Sequence, residues 1–150
     1  MDSTFYIIFK HFHSVLRWFL LITLLSSIIV SLFFVIRKQG LDIKGRLLAR
    51  ITSIIAEIQF VAGLVVYFIS PKVIFSASSF QSPILRFYLV EHVALMLVSV
   101  GLISAGYSRM KKVAETPSSS STVLGFYFVA LILILFAVPW PFRPYGGAWF

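Results

Sequence analysis

Three places in the chain put ionisable or metal-binding side chains inside apolar runs. They are Glu57, the adjacent pair Glu91-His92, and the segment His11-Phe12-His13-Ser14-Val15-Leu16-Arg17-Trp18. A carboxyl or imidazole in hydrocarbon is costly, and its default reading is functional. Glu57 has Ser53, Ala56, Phe60 and Gly63 at three- or four-residue spacings beside it, a stripe that points it into a helix bundle. It reads either as a functional carboxyl or as a protonated one bonded to a serine or carbonyl of a neighbouring helix. Glu91 and His92 point about 100° apart on a helix. His92 shares its face with Leu95, Met96 and Ser99. A neutral imidazole there could ligate a metal or haem or relay protons; the structural alternative is an interfacial histidine bonded to Glu. His13 and Arg17, at i and i+4, share a face, whereas His11 points elsewhere and is expected in solvent. An i, i+2 histidine pair does not chelate one metal easily, and no third ligand stands close enough for a zinc site. The sequence has no phosphate-binding loop, nucleophile elbow or H-E-x-x-H, so no catalytic residue is assigned.

The elements that must position these residues are set by composition. The 150 residues are 59% hydrophobic and 12% charged, and the mean hydropathy is +0.98. Such a chain lacks the polar surface of a water-soluble domain, which has roughly 25% charged residues. Four runs each reach the ~20 residues needed to cross a bilayer. Their expected bounds are about 14–36, 47–69, 84–107 and 123–142. The runs are continuous and twice the length of a barrel strand, which excludes a transmembrane barrel. The breakers fall between them: Gly40 and Gly45, then Ser70-Pro71 through Pro83, then Pro117 with Ser118–Ser121. Pro139-Trp140-Pro141-Phe142-Arg143-Pro144 terminates the fourth run and anchors it at the interface. The expected fold is all-α: one polytopic membrane domain over residues 1–150, four transmembrane helices in an up-down-up-down bundle.

Charge sets the expected orientation. Arg37, Lys38, Lys44, Arg46 and Arg50 flank the first connection, and Arg109, Lys111 and Lys112 the third; Lys10, Arg17, Lys72, Arg86 and Arg143 fall on the other side. Eight against five places the first and third connections in the cytoplasm and both termini outside. Trp18, Tyr67, Tyr88 and Trp140 fit an outer aromatic belt. The net charge of +8 is explained by this topology, and nucleic acid is not an expected partner, because aromatic and basic residues do not interleave on a polar face. With no cysteine there is no disulfide, thiolate site or covalent haem attachment. The first apolar run is long and has no small-residue cleavage motif, so it is not read as a signal peptide.

Several motifs carry a resemblance. They are His13-Ser14-x-Leu16-Arg17-Trp18, Ile58-Gln59 with Gly63-Leu64 and Tyr67-Phe68, Arg86-Phe87-Tyr88, Val90-Glu91-His92 and Pro139-Trp140-Pro141-Phe142-Arg143. In these, over essentially its whole length, the chain resembles a family of small four-helix bacterial membrane proteins labelled cytochrome b-like. The resemblance implies haem b held by histidines of facing helices in the bacterial cytoplasmic (inner) membrane. It implies His13 and His92 as iron ligands, with Arg17, Arg86 or Arg143 for the propionates. Electron transfer follows, with quinone as candidate exchange partner; such a chain is an electron-transfer or accessory subunit rather than a stand-alone enzyme. The alternative is a non-haem accessory or assembly subunit of a larger membrane complex. The expected partners are the lipid bilayer and either other membrane subunits or further copies of the chain. The chain departs from the family at Glu57, where relatives often carry histidine. Geometry adds a conflict. Spans one and three, diagonal in a bundle, stand about 14 Å apart. Yet His13 lies 23 residues before Ile36 and His92 only 15 before Tyr107, so their depths differ by about 12 Å at 1.5 Å per residue, against a simple coplanar pair.

The orientation has a direct test. Reporters fused after Phe150 are expected to read the outer compartment, and reporters inserted in 40–45 or 117–121 the cytoplasm. A cytoplasmic reading after Phe150 overturns it and moves the His/Arg group inward.

Overall fold

The computed structural model describes residues 3–144 and Gly146; Phe150 and the extreme termini lie outside the described residues. Those residues are helical, with no strand among them. Four long helices form the body: α1 (Ser3–Ile36), α2 (Ile43–Ile69), α3 (Pro83–Lys112) and α4 (Ser118–Ala137). Each is long and apolar enough to cross a membrane, the pattern of a multi-pass membrane protein.

The boundaries differ from the hydropathy reading for local reasons. α1 begins at Ser3, well before residue 14, because Lys10 and His11 are polar but neither glycine nor proline interrupts the run. Hydropathy locates where lipid would end, whereas breakers locate where a helix ends. α2 starts at Ile43 because Asp42 caps it, accepting from the Gly45 N–H at 2.7 Å. α3 starts with Pro83 in its first turn and runs past residue 107 to Lys112, placing Arg109, Lys111 and Lys112 against the negative end of the helix dipole. Ser118–Ser121, read as a connection, are the first turn of α4. α4 stops at Ala137 instead of Phe142, because Pro139 forces the preceding residue out of the helical region and Val138 is extended (φ −67°, ψ 128°).

One end of the bundle is closed by interlocking connections. α1 ends on Lys38 in the left-handed region (φ 56°), with Gln39 N–H donating to Phe34 O at 3.0 Å and Lys38 N–H to Val35 O at 2.9 Å. The Leu41 N–H then donates to Ser119 Oγ at 2.9 Å, and Ser120 Oγ donates to Gln39 O at 2.7 Å. Gly40 lies against the Thr116 carbonyl, where a side chain would collide.

Each long helix packs against two others: α1 on α2 and α4, and α3 on α4 and α2, with the α2–α3 seam the sparsest. The interior is built from small and hydroxylated residues as much as from large apolar ones. Ser27 and Thr52 share a buried 2.9 Å hydrogen bond, Tyr127 Oη donates to Ala49 O at 2.7 Å, and Ala49, Ala56 and Ala130 are fully buried. Many other large apolar residues face outward, as Phe19, Ile22, Ile29 and Ile36 do along α1. In lipid the hydrophobic effect does not drive helices together, and close approach of small residues with interhelical hydrogen bonds does.

Glu57 lies on the α2–α3 seam and is exposed, rather than pointing into the bundle. The reason is angular: Ala56 of the small-residue stripe faces inward with no exposure, and Glu57 is a further 100° round the helix. Its Oε1 accepts from Ser53 Oγ at 3.3 Å and from Ser104 Oγ of α3 at 2.9 Å. The second bond ties the seam. Glu57→Gln, which keeps an acceptor, is therefore expected to unfold like the parent protein. Glu57→Leu is expected to lose about 0.6–2 kcal/mol, the range of interhelical hydrogen bonds in membranes, in reversible unfolding from mixed micelles. A Leu variant more stable than the parent would mean that the carboxyl does not tie the helices.

Candidate functional site

The two histidines read as ligands come from diagonal helices, and local irregularities bring them together. α3 is interrupted by a π turn over Phe87–Glu91, in which the His92 N–H donates to Phe87 O, five residues back. A π turn inserts an extra residue and re-aims the side chains beyond it, and such turns are frequent at functional sites. Tyr67 Oη of α2 donates to the Leu89 carbonyl inside this turn at 2.9 Å. The histidine that ends it, His92, is also packed on the Phe87 ring, centroids 5.8 Å apart.

At the end of α4, a helical carbonyl would accept from the N–H four residues on. For Leu135 that residue is Pro139, which has no N–H; for Ala137 it is Pro141, likewise without one. For Phe136 it is Trp140, whose N–H instead donates to Val138 O. All three carbonyls are taken by side chains. Trp140 Nε1–H donates to Leu135 O at 2.9 Å, Arg143 Nη1–H to Phe136 O at 2.8 Å, and His92 Nδ1 lies 2.7 Å from Ala137 O. A carbonyl oxygen only accepts, so the hydrogen of His92 sits on Nδ1 and a neutral ring keeps its lone pair on Nε2. The interfacial pairing of His92 with Glu91 does not occur. Glu91 instead accepts from Arg86 Nε at 2.7 Å.

His13 is held by α2. Gln59 Nε2 donates to the His13 backbone carbonyl at 3.1 Å and lies 3.4 Å from His13 Nε2. Gly63 lets the imidazole lie against the helix, since a Cβ there would come within 2.8 Å of His13 Cε1. His13 Nδ1 and Gln59 Oε1 are both buried without a hydrogen-bond partner. Leaving a buried polar atom unsatisfied costs about 1–3 kcal/mol, so two side by side mark a place that a ligand would complete.

Both histidines line one cavity of about 330 Å³, within the range of cofactor and small-molecule pockets, roughly 300–1,000 Å³. Its walls include Gln59, Gly63, Val66, Val93, Met96 and Val138, and Lys10, Arg17 and Lys72 also line it; among the described residues no carboxylate does. A void of about 30 Å³ continues deeper between His13, His92 and Met96 toward Leu20 and Ile134. The depth conflict is largely removed. With α3 reaching Lys112, His92 lies 20 residues from its end and His13 lies 23 from the end of α1, an offset of about 4.5 Å.

Of the residues singled out by sequence, His13, His92 and Arg17 meet at this cavity, and Glu57, Glu91, Arg86 and Arg143 do not line it. His11 is exposed on α1. Lys10, Lys72, Gln59 and Gly63 join the site without having been singled out for it. The readable signals are that Gln59, besides Glu57, interrupts the second apolar run, and that Lys10 lies one turn before His13. Among the described residues no three His, Asp or Glu side chains form a metal-binding group, so a bare metal ion does not fit. The chemistry of the lining, two imidazoles with cations beside them and no carboxylate among the described residues, is of the kind that would suit a cofactor with acidic substituents. Comparison with protein-family models, with curated proteins and with solved structures finds no match to this chain.

Proposed function

We propose that the chain is an integral membrane electron-transfer protein that binds haem b between His13 and His92. It forms an up-down-up-down bundle in a bacterial cytoplasmic membrane with both termini outside, and quinone is its candidate exchange partner. The observation that carries this reading is a cavity lined by two imidazoles from different helices. One has its tautomer set by a backbone carbonyl, and neither nitrogen of the other is committed to a strong protein hydrogen bond. When bound, haem supplies one-electron chemistry.

The chain's own residues do the rest. His92 and His13 would hold the iron, and the Ala137 carbonyl orients the first through its Nδ1–H, as outer hydrogen bonds do for ligating histidines. Gln59 and Gly63 seat the second. Lys10, Arg17 and Lys72 line the cavity and would hold the propionates; Arg86 and Arg143 do not line it and contact Glu91 and the Phe136 carbonyl. Val66, Val93 and Val138 keep the walls apolar and exclude water.

The accessory-subunit reading has one observation in its favour. Glu57 is exposed midway along an apolar helix, on the sparsest seam of the bundle, where another membrane subunit or a further copy of the chain would cover it. A visible spectrum separates the two readings.

The expected result is a Soret band and a reduced α band in protein purified from haem-sufficient cells. His92→Ala and His13→Ala should each abolish the low-spin spectrum, since Met96 is the only other donor near His92 on its face. His11→Ala should leave it unchanged, and Gly63→Ala, which displaces the His13 ring, should weaken haem retention. A parent preparation without haem, or an unchanged spectrum in His92→Ala, removes this site.

A further inference from the structure

The sequence Pro139-Trp140-Pro141 terminates α4, but a single proline would suffice for that. Pro139 alone takes Val138 out of the helical region. The second proline has a different effect, which comes from the i to i+4 rule. If α4 continued past Val138, residue 139 would cover Leu135 and residue 140 would cover Phe136. Residue 141 would then cover Ala137, and Pro141 prevents it, having no N–H and a ring that cannot sit against that carbonyl within a helix. In the conformation present, where the chain leaves the helix, Pro141 again has no N–H to give. The Ala137 carbonyl is thus denied a backbone donor whether or not the last turn lengthens. His92 Nδ1, 2.7 Å away, is the donor it has.

We propose that Pro141 is a positioning residue for His92: it keeps the Ala137 carbonyl for the Nδ1–H and thereby fixes Nε2 as the lone-pair nitrogen of a side chain that lines the cavity. The tautomer matters because a histidine ligates through the nitrogen that carries no hydrogen, and the hydrogen bond at the other nitrogen sets both ring orientation and ligand basicity. A loose imidazole would divide between two tautomers and several ring orientations, and only part of that population could ligate. The two irregularities flanking the contact serve the same end. The π turn ending at His92 aims the ring across to α4, and the capping of Leu135 and Phe136 by Trp140 and Arg143 leaves neither side chain competing for Ala137. The consequence for ligand affinity rests on the haem reading; the tautomer assignment does not.

The two are tested apart. The first measurement is nitrogen-15 NMR of ring-labelled histidine in the full chain, purified without haem in detergent micelles at a pH where His92 is neutral. It asks which nitrogen carries the hydrogen. The parent protein is expected to show His92 as the Nδ1–H tautomer. Pro139→Ala lets the helix lengthen only until Pro141 stops it, and is expected to keep that tautomer. The double variant P139A/P141A supplies the N–H at residue 141, and is expected to release His92 to a mixture with Nε2–H. Haem titration should then show the double variant binding 10–100-fold more weakly, the usual loss on removing an outer hydrogen bond to a ligating histidine, with Pro139→Ala close to the parent. An Nε2–H tautomer in the parent, or a Pro139→Ala variant that already releases His92, overturns the role of Pro141 even if the double variant fails to fold. So does a folded double variant that keeps Nδ1–H. A parent that shows Nδ1–H but takes up no haem defeats the functional reading and leaves the positioning role standing.

Discussion

A helix end whose last carbonyls have lost their backbone donors has to satisfy them with side chains, and the organisation of this protein around α4 derives from that constraint. Proline at 139 and 141 removes two of the N–H groups that would do it, and the turn at Val138 diverts a third. The carbonyls of Leu135, Phe136 and Ala137 are therefore capped by an indole, a guanidinium and an imidazole. The first two come from the segment that has just left the helix and fold it back over the helix end. The third comes from α3, so the same requirement that closes α4 also pins α3 to it and fixes the position of His92. Trp140 packs near Trp18 of α1, ring centroids 6.3 Å apart, so the folded-back segment also meets α1 beside Arg17.

The same logic runs through the rest of the interior. Tyr127 caps no helix end, yet its hydroxyl reaches the Ala49 carbonyl within α2, and Tyr67 reaches Leu89 within the π turn. Serines at 119 and 120 bond across to the first connection. In a water-soluble bundle of this size large apolar side chains would fill the centre and polar ones the surface. Here alanine, serine and threonine let backbones approach beside buried Leu24, Ile103 and Ile134, while many other Phe, Ile and Leu side chains face outward, as a lipid surrounding would allow. The cavity lined by His13 and His92 stands out in such packing because two of the buried polar atoms that lack a partner, His13 Nδ1 and Gln59 Oε1, belong to residues that line it.

Much of this is legible in the chain itself. Four helices long and apolar enough to span are readable because ~20-residue apolar runs have few other uses, and the separation of His11 from His13 and Arg17 comes from helical periodicity. Helix ends are read less well. Lys10 and Lys112 are polar yet helical, and Ser118–Ser121 has loop composition but begins α4. The small-residue stripe misplaces Glu57, because neighbours at three and four residues define a face only to within the 100° that separates Ala56 from it. The partners of Glu91 and His92 depend on the π turn, which no residue pattern announces. The orphaned carbonyl of Ala137, by contrast, can be read directly from Pro141 by counting back four residues. What the sequence withholds is which side chain answers it, since that depends on how α3 and α4 dock.

Charge is distributed to match. The chain has five acidic residues against thirteen basic ones, and every acidic residue among those described is engaged elsewhere. Asp42 caps α2, Glu57 accepts from Ser53 and Ser104, Glu91 holds Arg86, and Glu115 holds Arg46 at 2.7 Å. None of them lines the cavity where Lys10, Arg17 and Lys72 converge. Partial burial of Lys10 and Arg17 strengthens their field, because low-dielectric walls screen them less than water does, whereas Lys72 is exposed. Lys72 and Arg17 lie near the faces of Tyr88 and Trp18, at 4.8 and 5.6 Å from the ring centroids, contacts that steady a cation. The mouth of the cavity is therefore a cationic rim above two imidazoles.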